Sequence, residues 1–214
     1  MTNSQERSAM KHFFSASTIL HQRSDSESFV LDEFLRNFSD YSAQYLQMDR
    51  APLLTDNLYQ IGRQVREGER SWTKHDLLDI IAWKRLYALR KWITEDKREL
   101  ELHLNENLKI EDDDERIDSL CSGSGFGPVL ASAILTLTWP EEYGFLDYHS
   151  WKALRSLGFD LTGRPFSGGG YSIPEYLHFL AIIRRLSDQV PSFPAKVADA
   201  LYAFDNVRRK HQRI

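Results

Sequence analysis

The sequence predicts an all-α protein. Apolar residues recur at helical spacing in nearly every segment, prolines and glycines fall where such segments must start or stop, and no convincing strand ladder occurs. The 214 residues suffice to bury a real core, either as one compact unit or as two small lobes sharing a cleft.

Residues 1–25 are polar and Ser-rich around a weak apolar patch (Phe13, Phe14, Ile19, Leu20) and are expected to be partly disordered. Phe29, Val30, Phe34, Phe38, Tyr41 and Tyr45 keep helical spacing and predict one helix over 29–46, with Pro52 ending the segment. A second helix is expected from Asp56, as cap, to Arg66, with Gly68 beyond its end. Thr73 and Asp76 mark the start of an apolar helix through Ile81 and Trp83. The stretch Trp83-Lys84-Arg85, followed by Arg90 and Lys91, is the most basic part of the N-terminal half. Helices are expected over Lys97–Ile110 and Asp113–Cys121.

Glycines 123, 125 and 127 then break the chain, and Pro128 suits the first position of a new helix, where its missing N–H is no loss. That helix must stop before Pro140, because a residue preceding proline disfavours the helical well. Residues 141–146 read as a short return, and Asp147 opens a helix ending near Gly158. A loop containing Gly168, Gly169 and Gly170 and helices at about 173–189 and 194–209 complete the expectation.

With 42% apolar and 27% charged residues, the composition is that of a soluble globular protein, and no apolar run approaches the ~18 residues of a membrane span. Met1 to Met10 lacks the apolar stretch of a signal peptide. A single cysteine, Cys121, excludes an internal disulfide and a four-cysteine iron–sulfur cluster. The histidines lack zinc-ligand spacing, so neither metal nor cofactor is expected. The net charge of −4 divides unevenly: residues 1–119 carry −6, residues 120–214 carry +2, and the last eight hold four Arg or Lys and no acid. Charge therefore permits a nucleic-acid partner locally without predicting one.

The segment from about 113 to 139 carries the chemistry. A helix, a Gly125-Phe126-Gly127 turn and a second helix form a compact unit for a phosphate: glycines let the backbone approach closely, and the new helix offers unpaired N–H groups and the positive end of its dipole. Leu120, Phe126, Leu130 and Ile134 are placed to anchor the turn in the core, and Ala131, Ser132 and Ala133 are small enough for close helix packing. Such a turn grips the DNA backbone without reading bases. Taken alone, Gly-Phe-Gly is more often a plain helix connection, and it is the longer pattern that favours the phosphate-binding reading.

The block Gly125-Phe-Gly-Pro-Val-Leu-Ala-Ser-Ala-Ile-Leu-Thr-Leu followed by Tyr143-Gly-Phe-Leu-Asp147 resembles the helix-hairpin-helix DNA glycosylase superfamily, which contains endonuclease III, adenine glycosylase and 8-oxoguanine glycosylase. Asp147-Tyr-His149-Ser-Trp151 is similar to the Asp-x-His-x-Trp phrase of the 8-oxoguanine enzymes, and the Trp83-Lys84 pair resembles an upstream pair in a broad group of bacterial helix-hairpin-helix proteins. The strong resemblance covers about 120–155. It implies a glycosylase-like fold of two helical lobes around a cleft, with Asp147 as the essential carboxylate. Gly125, Phe126, Gly127, Val129, Ser132 and His149 would then bind the DNA backbone, and Trp83, Lys84 and Tyr148 would line a base pocket. Bifunctional members carry a lysine two residues after the second hairpin glycine; Val129 stands there, so a glycosylase without Schiff-base lyase chemistry is implied. The implied partner is double-stranded DNA bearing a damaged or modified base, bound by a cytoplasmic monomer that meets the nucleoid and no membrane. A non-catalytic DNA-binding protein is the alternative, because Asp before a helix is also a preferred N-cap. Trp72, Trp83, Tyr148 and Trp151 have core packing as their ordinary role. Arg164 and the glycine loop read as a connection or a phosphate contact, and Arg208, Arg209, Lys210 and Arg213 as followers of the DNA backbone or solubilising charges.

Overall fold

The computed structural model describes residues 25–48, 52–83, 96–123, 126–161 and 170–211, and these contain ten helices and no strand. The all-α expectation holds for them. Expectations about residues 1–24, Lys84, Arg85, Arg90, Lys91, Gly125, Arg164, Gly168, Gly169 and Arg213 fall outside the described residues.

The helix expected over 29–46 is two helices, α1 (Asp25–Arg36) and α2 (Phe38–Met48). Asn37 divides them. Its side-chain amide and its backbone N–H both donate to the Glu33 carbonyl, while its own carbonyl accepts from Asp40 and Tyr41. A short polar side chain that competes for backbone groups interrupts a helix without disturbing the apolar spacing on either side. Phe34 therefore still stacks on Tyr41, with ring centroids 5.8 Å apart.

Pro52 starts α3 (Pro52–Arg66) rather than ending the previous segment, and Asp56 lies inside that helix instead of capping it. At a first helical position proline sacrifices no hydrogen bond, so it initiates as readily as it terminates. Helix α4 (Lys74–Trp83) begins as expected: Thr73 Oγ1 accepts from the Asp76 N–H, and Asp76 Oδ2 accepts from the Thr73 N–H at 2.9 Å. Arg70 adds a 2.5 Å ion pair to the same carboxylate, which is buried.

Asp96 and Asp112 cap α5 (Lys97–Asn107) and α6 (Asp113–Ser122). The next helix, α7 (Pro128–Thr138), is buried at every position from Leu130 to Thr138. A helix apolar on all sides belongs at the centre of a bundle, and α3, α4, α6 and α9 (Ile173–Ser187) all pack against it. Gly62 lets α3 approach most closely, since a Cβ there would lie 2.0 Å from the Leu137 carbonyl oxygen.

A second axis is α10 (Pro194–His211), against which α2, α8 (Tyr148–Ser156) and α9 pack. Helix α9 touches both axes, and the buried apolar side chains form one contiguous cluster. Trp72 and Trp151 are both fully buried within it, which is the ordinary role foreseen for them. Trp72 Nε1 donates to Thr138 Oγ1 at 3.2 Å and fastens the α3–α4 connection to the end of α7.

Candidate nucleic-acid interface

The site is built from the end of α6, the hairpin turn, the start of α7, the return at 139–146 and the start of α8. Leu120, Phe126, Leu130 and Ile134 are buried, so the turn is anchored by the side chains expected to anchor it. The Phe126 ring lies 5.1 Å from the His103 ring. His103 also occupies the space a Cβ at Gly123 would need, its Nε2 falling 2.4 Å from that position.

The backbone-binding set divides on inspection. Phe126 is a core residue, and its N–H donates to the Gly123 carbonyl at 3.1 Å. Ser132 is fully buried; its hydroxyl donates to the Val129 carbonyl at 2.8 Å and accepts from the Leu146 N–H at 3.1 Å. Neither side chain is placed to meet DNA. Helix α7 is buried on every side from Leu130 onward, so a small polar residue within it serves internal packing. Gly127 differs: it is exposed, a Cβ there would meet nothing within 4 Å, and its φ of −94° suits any residue. The fold does not require glycine at this position. Val129 is half-buried just inside the helix, and among the described residues no side chain caps the α7 N-terminus. Because Ala131 is the first α7 residue to bond back, to the Gly127 carbonyl, the first-turn amides present the positive end of a helix dipole.

The Leu146–Ser132 hydrogen bond ties the residue before Asp147 to the second turn of α7. Asp147 is half-exposed and caps α8: Oδ1 accepts from the Ser150 N–H at 2.7 Å and from Ser150 Oγ at 3.0 Å. The Ser150 hydroxyl also reaches the Ala198 carbonyl of α10 at 3.3 Å, which fixes the cap against the second axis. The carboxylate is thus rigid, and its charge is felt nearby: burial first, then Asp147, pushes the Tyr171 hydroxyl well above its ordinary range.

A polar cluster that the sequence did not reveal holds the return from behind. Arg116 donates to the Tyr143 hydroxyl at 2.5 Å, Tyr143 donates to Asp113, and Arg184 pairs with Asp113 at 2.8 Å. The Arg116 guanidinium also lies 4.6 Å over the Trp139 ring. Burial works against ionisation of Asp113, but the hydrogen bonds from Tyr143 and Arg184, with the two guanidinium charges, outweigh it and hold the carboxyl below the usual range. A depressed carboxyl contributes stability above its unfolded value of about 3.9, and that contribution disappears as pH falls from there through the folded value. Wild type is therefore expected to exceed Asp113→Asn in urea midpoint at pH 6, with the gap closing at pH 3; an equal gap at both would contradict this assignment.

Trp83 is half-buried; its Nε1 donates to Thr55 Oγ1 at 2.8 Å and its ring lies 6.3 Å from Phe145, two residues before Asp147. Tyr148 is exposed at the start of α8. His149 pairs through Nδ1 with Asp205 of α10 at 2.7 Å. Burial pushes the Cys121 thiol up to about 12, so it supplies no thiolate nucleophile. No group of metal-binding side chains occurs among the described residues, and none of their helices is long and apolar enough to cross a membrane. A groove of about 620 Å³ lies between the residues leading into α4 and the length of α5, lined by residues that include Trp72, Lys97, Glu101 and Lys109; neither Asp147 nor a hairpin residue contributes to it.

No family model, curated protein or solved structure matches the chain.

Proposed function

We propose that the chain is a monofunctional DNA glycosylase that hydrolyses the N-glycosidic bond of a damaged or modified base, with Asp147 as its essential carboxylate. The observation that carries this reading is the Ser132–Leu146 hydrogen bond, which ties the residue before a half-exposed, capped carboxylate to the second turn of α7. Breaking a base–sugar bond builds positive charge on the sugar, and a fixed carboxylate stabilises that charge and orients water for attack. The base must leave the stack first, which requires the neighbouring phosphates to be gripped. The open space at Gly127 and the first-turn amides of α7 supply that grip. Val129 has no amine, so the product is an abasic site and not a nicked strand. In this reading the α7-centred and α10-centred groups of helices are the two lobes of a glycosylase-like fold, the duplex is bound by a monomer, and Trp83 and Tyr148 flank the extruded base.

A second reading is a non-catalytic DNA-binding protein. It is favoured by the Ser150 contacts, since capping alone accounts for an aspartate at position 147. Incubation with duplexes carrying a panel of damaged and modified bases, followed by hot alkali, separates the two. Cleavage at one modified position is expected; an uncut panel with DNA binding intact would leave only the binding function.

Gly127 offers a direct test of the grip. An asparagine there finds empty space, adopts the same backbone and is a favoured cap for the α7 amides. Gly127→Asn is therefore expected to keep or raise thermal stability while weakening duplex binding about tenfold, because the side chain competes for the amides a phosphate needs. Unchanged affinity would remove the hairpin from the interface.

A further inference from the structure

Asp205 is buried, with 4% of its side chain exposed, yet three basic groups from two helices converge on it. His149 Nδ1 lies 2.7 Å from Oδ2, Lys152 Nζ 3.4 Å from Oδ1, and Arg209 Nε 3.2 Å from Oδ2 as an ion pair. Arg209 is braced further by Asn206 Oδ1 at 2.7 Å and sits 3.1 Å from His149 Nδ1, whose ring packs on Tyr202 with centroids 4.8 Å apart. One carboxylate faces two permanent cations and an imidazole, so at least one unit of positive charge is left uncompensated. All three basic side chains keep part of their surface in solvent, at 22%, 39% and 32%. Long cationic side chains ordinarily lose conformational freedom on meeting an anion; here the buried carboxylate has already fixed them side by side.

We propose that His149, Lys152 and Arg209 form a preorganised phosphodiester-binding patch on the face shared by α8 and α10. The inference rests on the DNA-binding reading above and extends it. Lys152 lies five residues beyond Asp147 on α8, roughly 7.5 Å along the helix axis. In this proposal the patch meets the backbone on the α8–α10 face, while the α7 N-terminus meets it at the hairpin. The grip is electrostatic and indifferent to base identity.

The test is the salt dependence of affinity of the whole chain for a duplex. Removing a phosphate-contacting cation lowers the slope of log affinity against log salt by about 0.9. Lys152→Gln and Arg209→Gln are each expected to lower the slope by that amount and the double variant by about 1.8, with duplex binding weakened about tenfold or more. Because both side chains also serve Asp205, Lys152→Arg and Arg209→Lys are measured beside them and are expected to restore the slope. Lys109→Gln, which removes a largely exposed cation two residues past the end of α5 that pairs with Glu106, is expected to leave it unchanged. A wild-type slope in the double variant, a failure of the charge-preserving variants to restore it, or an equal drop in Lys109→Gln would overturn the patch while leaving DNA binding in place. Absence of salt-dependent binding by the wild type would remove both proposals.

Discussion

Asp147→Asn is expected to leave the fold standing and to stop base excision. Two roles meet in this side chain, and asparagine separates them. As a cap, Oδ1 accepts from the Ser150 N–H and hydroxyl; asparagine caps a helix about as well as aspartate, so stability should change by less than roughly 0.5 kcal/mol. As a catalyst, the residue must supply a negative charge where the sugar becomes positive, and an amide has none. Loss of one preorganised electrostatic group of this kind costs about 10²–10³ in rate, or roughly 3–4 kcal/mol. Duplex affinity should persist, because the grip belongs to the α7 amides and the cations of α8 and α10. Asp147→Ala is the useful contrast: it loses the cap as well, at about 1 kcal/mol. Single-turnover excision beside thermal melting reads both effects. An asparagine variant that excises at the wild-type rate would reduce Asp147 to a cap.

Gly62→Ala is expected to be the most damaging small substitution in the scaffold. Its Cβ would fall 2.0 Å from the Leu137 carbonyl oxygen and 2.5 Å from the carbon. The obstacle is the backbone of a fully buried helix, so no rotamer change relieves it, and α3 must move away from α7. Overpacking of this sort costs about 3 kcal/mol, a fall of roughly 6–12 °C in melting temperature for a chain of this size. Displacing α3 also shifts Thr55, and with it the Trp83 ring beside Phe145. Thermal melting of the alanine variant checks this directly. Wild-type stability would mean that the two helices do not approach so closely.

The helical class and most helix starts were legible because the signals are local. Pro128, Asp147 and the Thr73–Asp76 pair act within one turn of chain, and each stands where spacing placed it. The failures at Asn37 and Pro52 are local too, and they come from residues that can both end and begin a helix. The site was legible only in outline. Asp147 and the exposed Gly127 could be singled out from the hairpin pattern, yet Ser132 faces inward, which depends on which side of α7 meets the return. The Asp205 cluster joins residues 56 apart, and the Asp113–Tyr143–Arg184 cluster joins three separate elements. The Asp205–Arg209 pair, four apart on α10, and the Asp113–Arg116 pair, three apart on α6, are the parts that leave a trace in the sequence. The pairing of α10 with α8 exists only once the core has formed.

In the proposed enzyme the Asp147 carboxylate faces the sugar whose base is extruded. A duplex containing a pyrrolidine nucleotide places a fixed positive charge where the reacting sugar develops one, and a tetrahydrofuran nucleotide has the same shape without the charge. Mimics of a transition state bind at least ~10²-fold tighter than ground-state ligands. Wild type should therefore hold the pyrrolidine duplex about 100-fold more tightly than the tetrahydrofuran duplex, and Asp147→Asn should hold both alike. Equal affinities in the wild type would contradict the account, because the carboxylate would then not be looking at the sugar.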